Sequence, residues 1–98
     1  MRIEVSQDEY NAAISESLEI IAAQPQKSGT EALSVVLANV WDSTGVEGDV
    51  FECLGIMDLT TRQIGLCLVI GRTCYGRPAN HPRFAEVEAL YYCRARER

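Results

Sequence analysis

Early in the chain the apolar residues Tyr10, Ile14, Leu18 and Ile21 recur at the spacing of one helical face, which predicts an amphipathic helix. It should start at Ser6. Ser6-Gln7-Asp8-Glu9 has the form of a capping box, in which the serine oxygen accepts from the third helical amide and Glu9 reaches back to the cap. Pro25 forbids continuation, so the helix should end near Ala23. Ser28-Gly29-Thr30-Glu31 repeats the capping signature, and Leu33, Val36, Leu37, Val40 and Trp41 follow at i, i+3, i+4, i+7 and i+8. A second helix is expected there. The stretch from Asp42 to Asp49 has the glycine and Asx density of a loop. At the other end, Arg2 to Val5 alternates and reads either as a short edge strand or as a lead-in.

Val50 to Met57 lacks clean alternation and is read as a short helix in preference to a strand. The next segment, Asp58 to Gly76, holds the most apolar run in the chain. With Asp58 or Thr60 as cap it makes a helix to about Cys74 that is apolar nearly all the way round, as befits the central helix of a bundle. The competing reading is a strand from Leu66 to Ile70, buried on both faces and bounded by Gly65 and Gly71. Length and capping favour the helix. After a turn at Gly76 to Asn80, Asn80 or His81 followed by Pro82 reads as the start of a last helix running to about Ala95. Its acids lie early and its arginines late, which suits the helix dipole. One stripe of this helix holds Phe84, Val87 and Tyr91. A second, Ala85, Ala89 and Tyr92, needs a partner inside or outside the fold. The expected fold is mainly α, a compact single-domain bundle of four or five helices with Leu66 to Ile70 at its centre. The alternative is α+β, with short strands near residues 2–5 and 65–71.

At 98 residues the chain suits one core and no separate substrate domain. No run reaches the roughly 18 apolar residues of a membrane helix, and acids occupy the place of a signal peptide's apolar stretch. A cytoplasmic protein is expected. The net charge of -5 is uneven, with nine acids and two bases in residues 1–49 against five acids and seven bases in 50–98. Eight of the nine bases are arginine, a residue suited to bidentate and stacked contacts, so partners are the natural expectation.

Candidate chemistry is sparse. Cys53, Cys67, Cys74 and Cys93 lack the paired spacing of a zinc or redox site, so no metal and no cofactor are expected. On a helix Cys67 and Cys74 stand about 10 Å apart along the axis, beyond the roughly 7 Å at which α-carbons can be bridged. They read as small core hydrophobes. His81 is the sole histidine, and it has no serine or acid at motif spacing. Phosphate-cradling, zincin and nucleophile-elbow motifs are absent. No catalytic residue is assigned, and a small enzyme using His81 and a cysteine is the last-ranked reading.

Two features suit partners. Asp8, Glu9, Glu16 and Glu19 fall within an arc of about 100° opposite the apolar stripe of the first helix. Such an acidic ridge is able to occupy a basic groove, although a solvated face has the same pattern. At the C-terminus, Tyr91 to Arg98 mixes tyrosine and arginine, the types enriched at interface hot spots, which nominates Tyr92, Arg94, Arg96 and Arg98. With Arg72, Arg77 and Arg83, these arginines supply the runner-up reading, a nucleic-acid-binding accessory protein.

Leu37-Ala38-Asn39-Val40-Trp41-Asp42, then Leu54-Gly55-Ile56-Met57-Asp58, then Leu66-Cys67-Leu68-Val69-Ile70 resemble a family of small, mostly helical proteins of unknown function from bacteria, phages and plasmids. The resemblance covers about Leu33 to His81 and brings no catalytic residues. It implies a helical accessory protein of a mobile element. The expected function is a non-enzymatic protein-binding module, of the anti-CRISPR-like kind that binds and inhibits a host or defence protein. A homodimer is left open.

Overall fold

The computed structural model describes residues 4–25, 27–42 and 49–96, with side chains through Cys93. Among them are five helices: α1 (Gln7–Ala23), α2 (Ser28–Trp41), α3 (Val50–Ile56), α4 (Leu59–Tyr75) and α5 (Phe84–Arg96). The fold is a mainly α bundle, and the described residues contain no strand. The strand reading of 65–71 is therefore overturned. Glu4 and Val5 are not in a strand, and residues 1–3 and most of the expected loop, 43–48, lie outside the described residues.

Local chemistry sets most boundaries. Both halves of the capping box form at α1, with Ser6 Oγ accepting from the Glu9 amide at 3.1 Å and Glu9 accepting from the Ser6 amide at 3.0 Å. Asp49 caps α3, and Asp58 rather than Thr60 caps α4, accepting from the Thr61 amide at 2.8 Å. That bond, made by a charged acceptor, holds the Asp58 carboxyl below its ordinary range. Gly76 ends α4 at φ 76°, a conformation that suits a residue without a β-carbon.

Two starts differ from expectation. Ser28 lies inside α2, whose cap is Lys27 with no side-chain hydrogen bond. A turn closed by the Lys27 amide on the Gln24 carbonyl leads straight into the helix, and the Lys27 carbonyl already accepts from Glu31. Helix α5 starts at Phe84 instead of at Asn80 or His81. The His81 ring is buried against α1, its Nδ1 accepts from the Arg83 amide at 2.9 Å, and its carbonyl accepts from Phe84. Tertiary contact thus holds residues 79–83 in turns.

The centre is also not where the apolar pattern put it. Nine of the fourteen residues of α2 are buried, including Leu33, Val36 and Leu37, whereas α4 buries only Gly65, Leu68 and Gly71. Helix α2 touches all four other helices, and α4 lies on the flank against α1, α2 and α3. Glycine explains the arrangement. A β-carbon at Gly65 would stand 2.7 Å from Leu54 Cδ2, and one at Gly71 would run into the Tyr10 ring. These two positions flatten the inner side of α4, so α3 and α1 lie close against it, while Leu59 and Leu66 turn outward. At the far end Trp41 packs on Phe84 and Tyr91, with ring centroids 4.5 and 6.4 Å away, and this holds α5 to α2.

Tyr10 ties three segments together. Its ring crosses Gly71 and its hydroxyl donates to the Gly76 carbonyl at 3.0 Å. Burial pushes the phenol up to about 12, with the nearby Arg72 guanidinium acting in the opposite sense. Because the folded state favours the protonated form, this contribution is fully present below pH 10 and is lost as pH rises through 12. The loss is on the order of 2 to 3 kcal/mol. Urea titrations from pH 9 to 12 should show that loss in the wild type and not in Tyr10→Phe; parallel profiles would refute it.

Candidate partner-binding surface

The four ridge acids sit on α1, but the structure divides them. Glu9 and Glu16 border a cleft of about 390 Å³ formed with Thr60, Gln63 and Cys67 of α4. Glu19 instead forms an ion pair with Arg83, which also binds Glu86 through Nε at 2.6 Å. The carboxylates of Glu86 first, then Glu19, push the guanidinium pKa further up, and Arg83 in turn lowers that of Glu86. Glu9 is held below its ordinary value by the Ser6 hydrogen bonds, although its carboxylate remains exposed. Asp8 and Glu16 are exposed and form no ion pair among the described residues.

The arginines have a role that spacing alone does not reveal. Arg62 reaches from α4 to the end of α3, where Nε donates to the Leu54 carbonyl at 2.8 Å and Nη2 to the Met57 carbonyl at 2.9 Å. Arg72 Nε donates to the Val40 carbonyl in the last turn of α2 at 2.7 Å. These bonds satisfy the acceptors that a helix end leaves open. Arg77 pairs with Asp42 at 3.3 Å and lies over the Trp41 ring. So the three arginines Arg72, Arg77 and Arg83, nominated for nucleic acid, are each held by contacts within the chain. Arg94 and Arg96 lie in α5 with side chains outside the described residues, and Arg98 lies outside them altogether. Tyr92 is half exposed and meets Tyr91 edge-on, while Ala85 and Ala89 are exposed, so the second stripe of α5 finds no cover inside the fold.

His81 sits in a structural hydrogen-bond set. Since Nδ1 accepts from the Arg83 amide, Nε2 carries the proton and faces the Asn11 carbonyl at 3.0 Å and Ser15 Oγ at 3.2 Å. In that tautomer the ring cannot take a proton from Ser15. The cysteines Cys53, Cys67, Cys74 and Cys93 form no disulfide, and only Cys53 is buried in the core. Cys67 is half-buried and donates to the Glu9 carbonyl at 3.5 Å; burial, then Glu9 and Glu16, raise its thiol pKa, which disfavours the thiolate. Cys74 and Cys93 are exposed, so the small-hydrophobe reading fails for Cys74. Among the described residues no group of His, Cys, Asp and Glu is placed to hold a metal, and no helix is long and apolar enough to cross a membrane.

One surface escaped the sequence reading. With α4 on the flank, Leu59 and Leu66 face solvent at 68% and 42% exposure. Beside them an apolar groove of about 280 Å³ runs between α2, α3 and α4, lined by Val36, Val40, Val50 and Val69, with Phe51 at its lip 84% exposed. The available signal was that α4 is apolar nearly all the way round, which fits a helix covered on most sides whether by its own fold or by another molecule.

The described residues thus form a small, mainly α bundle of five helices. No family model, no curated protein and no solved structure matches the chain.

Proposed function

We propose that the protein is a non-enzymatic binding module whose acidic α1 face docks on a basic site of another protein. The observation carrying this reading is the engagement of four cations within the chain. Arg62, Arg72, Arg77 and Arg83 bind groups of their own chain, while Asp8 and Glu16 remain exposed without an ion pair among the described residues. Arg77 and Arg83 are paired with Asp42, Glu19 and Glu86, so the unpaired charge that α1 presents at Asp8 and Glu16 is acidic, and an acidic face steers encounter with a basic one. The same engagement disfavours the nucleic-acid reading, which needs free guanidinium groups for phosphates. The resemblance to small proteins of phages and plasmids supports the setting of a mobile-element accessory protein, acting in the cytoplasm as an inhibitor of a host or defence protein.

The test is retention of a basic protein from a nuclease-treated bacterial lysate, comparing wild type with the double variant Asp8→Lys, Glu16→Lys. These positions lie outside the capping-box and Arg83 bonds, so the fold should hold, which circular dichroism checks. We expect a discrete protein that salt elutes from the wild type and that the folded variant fails to retain. Equal retention by both would reject the ridge as the docking surface.

A further inference from the structure

Helix α2 starts in a way that leaves its N-terminus open. Its cap, Lys27, makes no side-chain hydrogen bond, and the amides of Ser28, Gly29 and Thr30 meet no acceptor among the described residues. Three free donors at the positive end of a helix dipole favour a negative group. All three residues line a pocket of about 270 Å³ between the end of α1 and the starts of α2 and α4. That volume lies just under the roughly 300 to 1,000 Å³ of ordinary ligand pockets, so the occupant is small.

A buried side chain independently marks the same pocket. Thr30 is only 4% exposed, yet its hydroxyl has no hydrogen-bond partner among the described residues. Every fully enclosed side-chain polar atom of those residues does have one, so the open part of Thr30 is its hydroxyl, facing the pocket that it lines. It is placed to bond to whatever the pocket holds. The opposite wall carries a negative pole. Asp58 Oδ1 accepts from the Thr61 amide at 2.8 Å, while Oδ2 has no hydrogen bond among the described residues. A β-carbon at Gly29 would stand 3.9 Å from Met57 Cα, which sets Asp58 beside the start of α2. A bare phosphate or sulfate gains from the amides but is repelled by this carboxylate, whereas a zwitterion gains from both poles. Ile20 and Ile56 supply apolar wall.

We infer that the pocket binds a free α-amino acid with an aliphatic side chain. The carboxylate accepts from the Ser28 to Thr30 amides and the Thr30 hydroxyl, with the Lys27 ammonium beside it; the ligand's ammonium donates to Asp58 Oδ2, and its side chain covers Ile20 and Ile56. The site uses neither Asp8 nor Glu16, so it stands or falls separately from docking of the α1 acids.

Titration of the isotope-labelled full chain with L-leucine, followed through its amide resonances, tests this. We expect saturable shifts centred on Gly29, Thr30 and Asp58. Leucinamide, which lacks the carboxylate, and isocaproate, which lacks the ammonium, should each bind roughly tenfold more weakly or worse, the usual loss when a hydrogen bond to a charged group is removed. Glycine should also bind more weakly than leucine. Thr30→Val keeps the side-chain shape and Asp58→Asn keeps a capping oxygen for Thr61, so both should fold, which circular dichroism checks, and both should weaken leucine binding. The analogue series on the wild type decides the matter even where a variant does not fold. No saturable shift, isocaproate or inorganic phosphate binding as tightly as leucine, or undiminished affinity in folded Thr30→Val would each overturn the proposal.

Discussion

Gly71→Ala is expected to destabilise the protein by about 3 kcal/mol or more, enough to threaten cooperative folding. An added methyl would stand 2.8 Å from Tyr10 Cβ and closer still to the first atoms of the ring. That end of the side chain is fixed by the α1 backbone and cannot swing aside. Relief requires α1 and α4 to separate, which would also pull the Tyr10 hydroxyl from the Gly76 carbonyl. Helix propensity acts the other way, since alanine is favoured over glycine by about 1 kcal/mol within a helix, so the clash must exceed that gain. Gly55→Ala provides the contrast. Nothing lies within 4 Å of its new β-carbon, and a small stabilisation is expected. Urea unfolding of both variants should give opposite signs; a Gly71→Ala protein as stable as wild type would mean that the helices do not cross at this glycine.

Leu68→Ala should lower stability by about 2 to 5 kcal/mol, the usual range for emptying a buried leucine site. Leu66→Ala, two residues away on the same helix, should cost well under 1 kcal/mol. Leu68 is fully buried and Leu66 is 42% exposed, so the pair reads the rotation of α4 directly. Were α4 the central helix, both truncations would leave cavities and cost alike. Similar losses in the two variants would reject the flank position of α4.

Much of the architecture was legible because it rests on local chemistry. Ser6 with Glu9, Asp58, Pro25 and the spacing of Leu33 to Trp41 act within one or two turns, and the chain folds there as they indicate. The acidic ridge was legible in the same way, since helical phase alone places Asp8, Glu9, Glu16 and Glu19 together. What phase does not contain is the neighbour. It could not show that Glu19 meets Arg83 from far along the chain, or that the Arg62 and Arg72 heads close the ends of other helices.

His81 shows the same limit at an element boundary. Its sequence neighbourhood, Asn80 to Pro82, has the marks of a helix start, yet the ring is bound by Asn11 from seventy residues earlier and the helix begins at Phe84. By itself the sequence determined the mainly α class and the approximate span of most helices, together with the sign and phase of the charge on α1, because propensity, capping and period are properties of adjacent residues. The tertiary structure alone decided which helix is central and which faces remain open. An apolar residue buries itself equally well in any neighbour, so hydrophobicity carries no address; the flat glycine side of α4 and the reach of its arginines selected the packing.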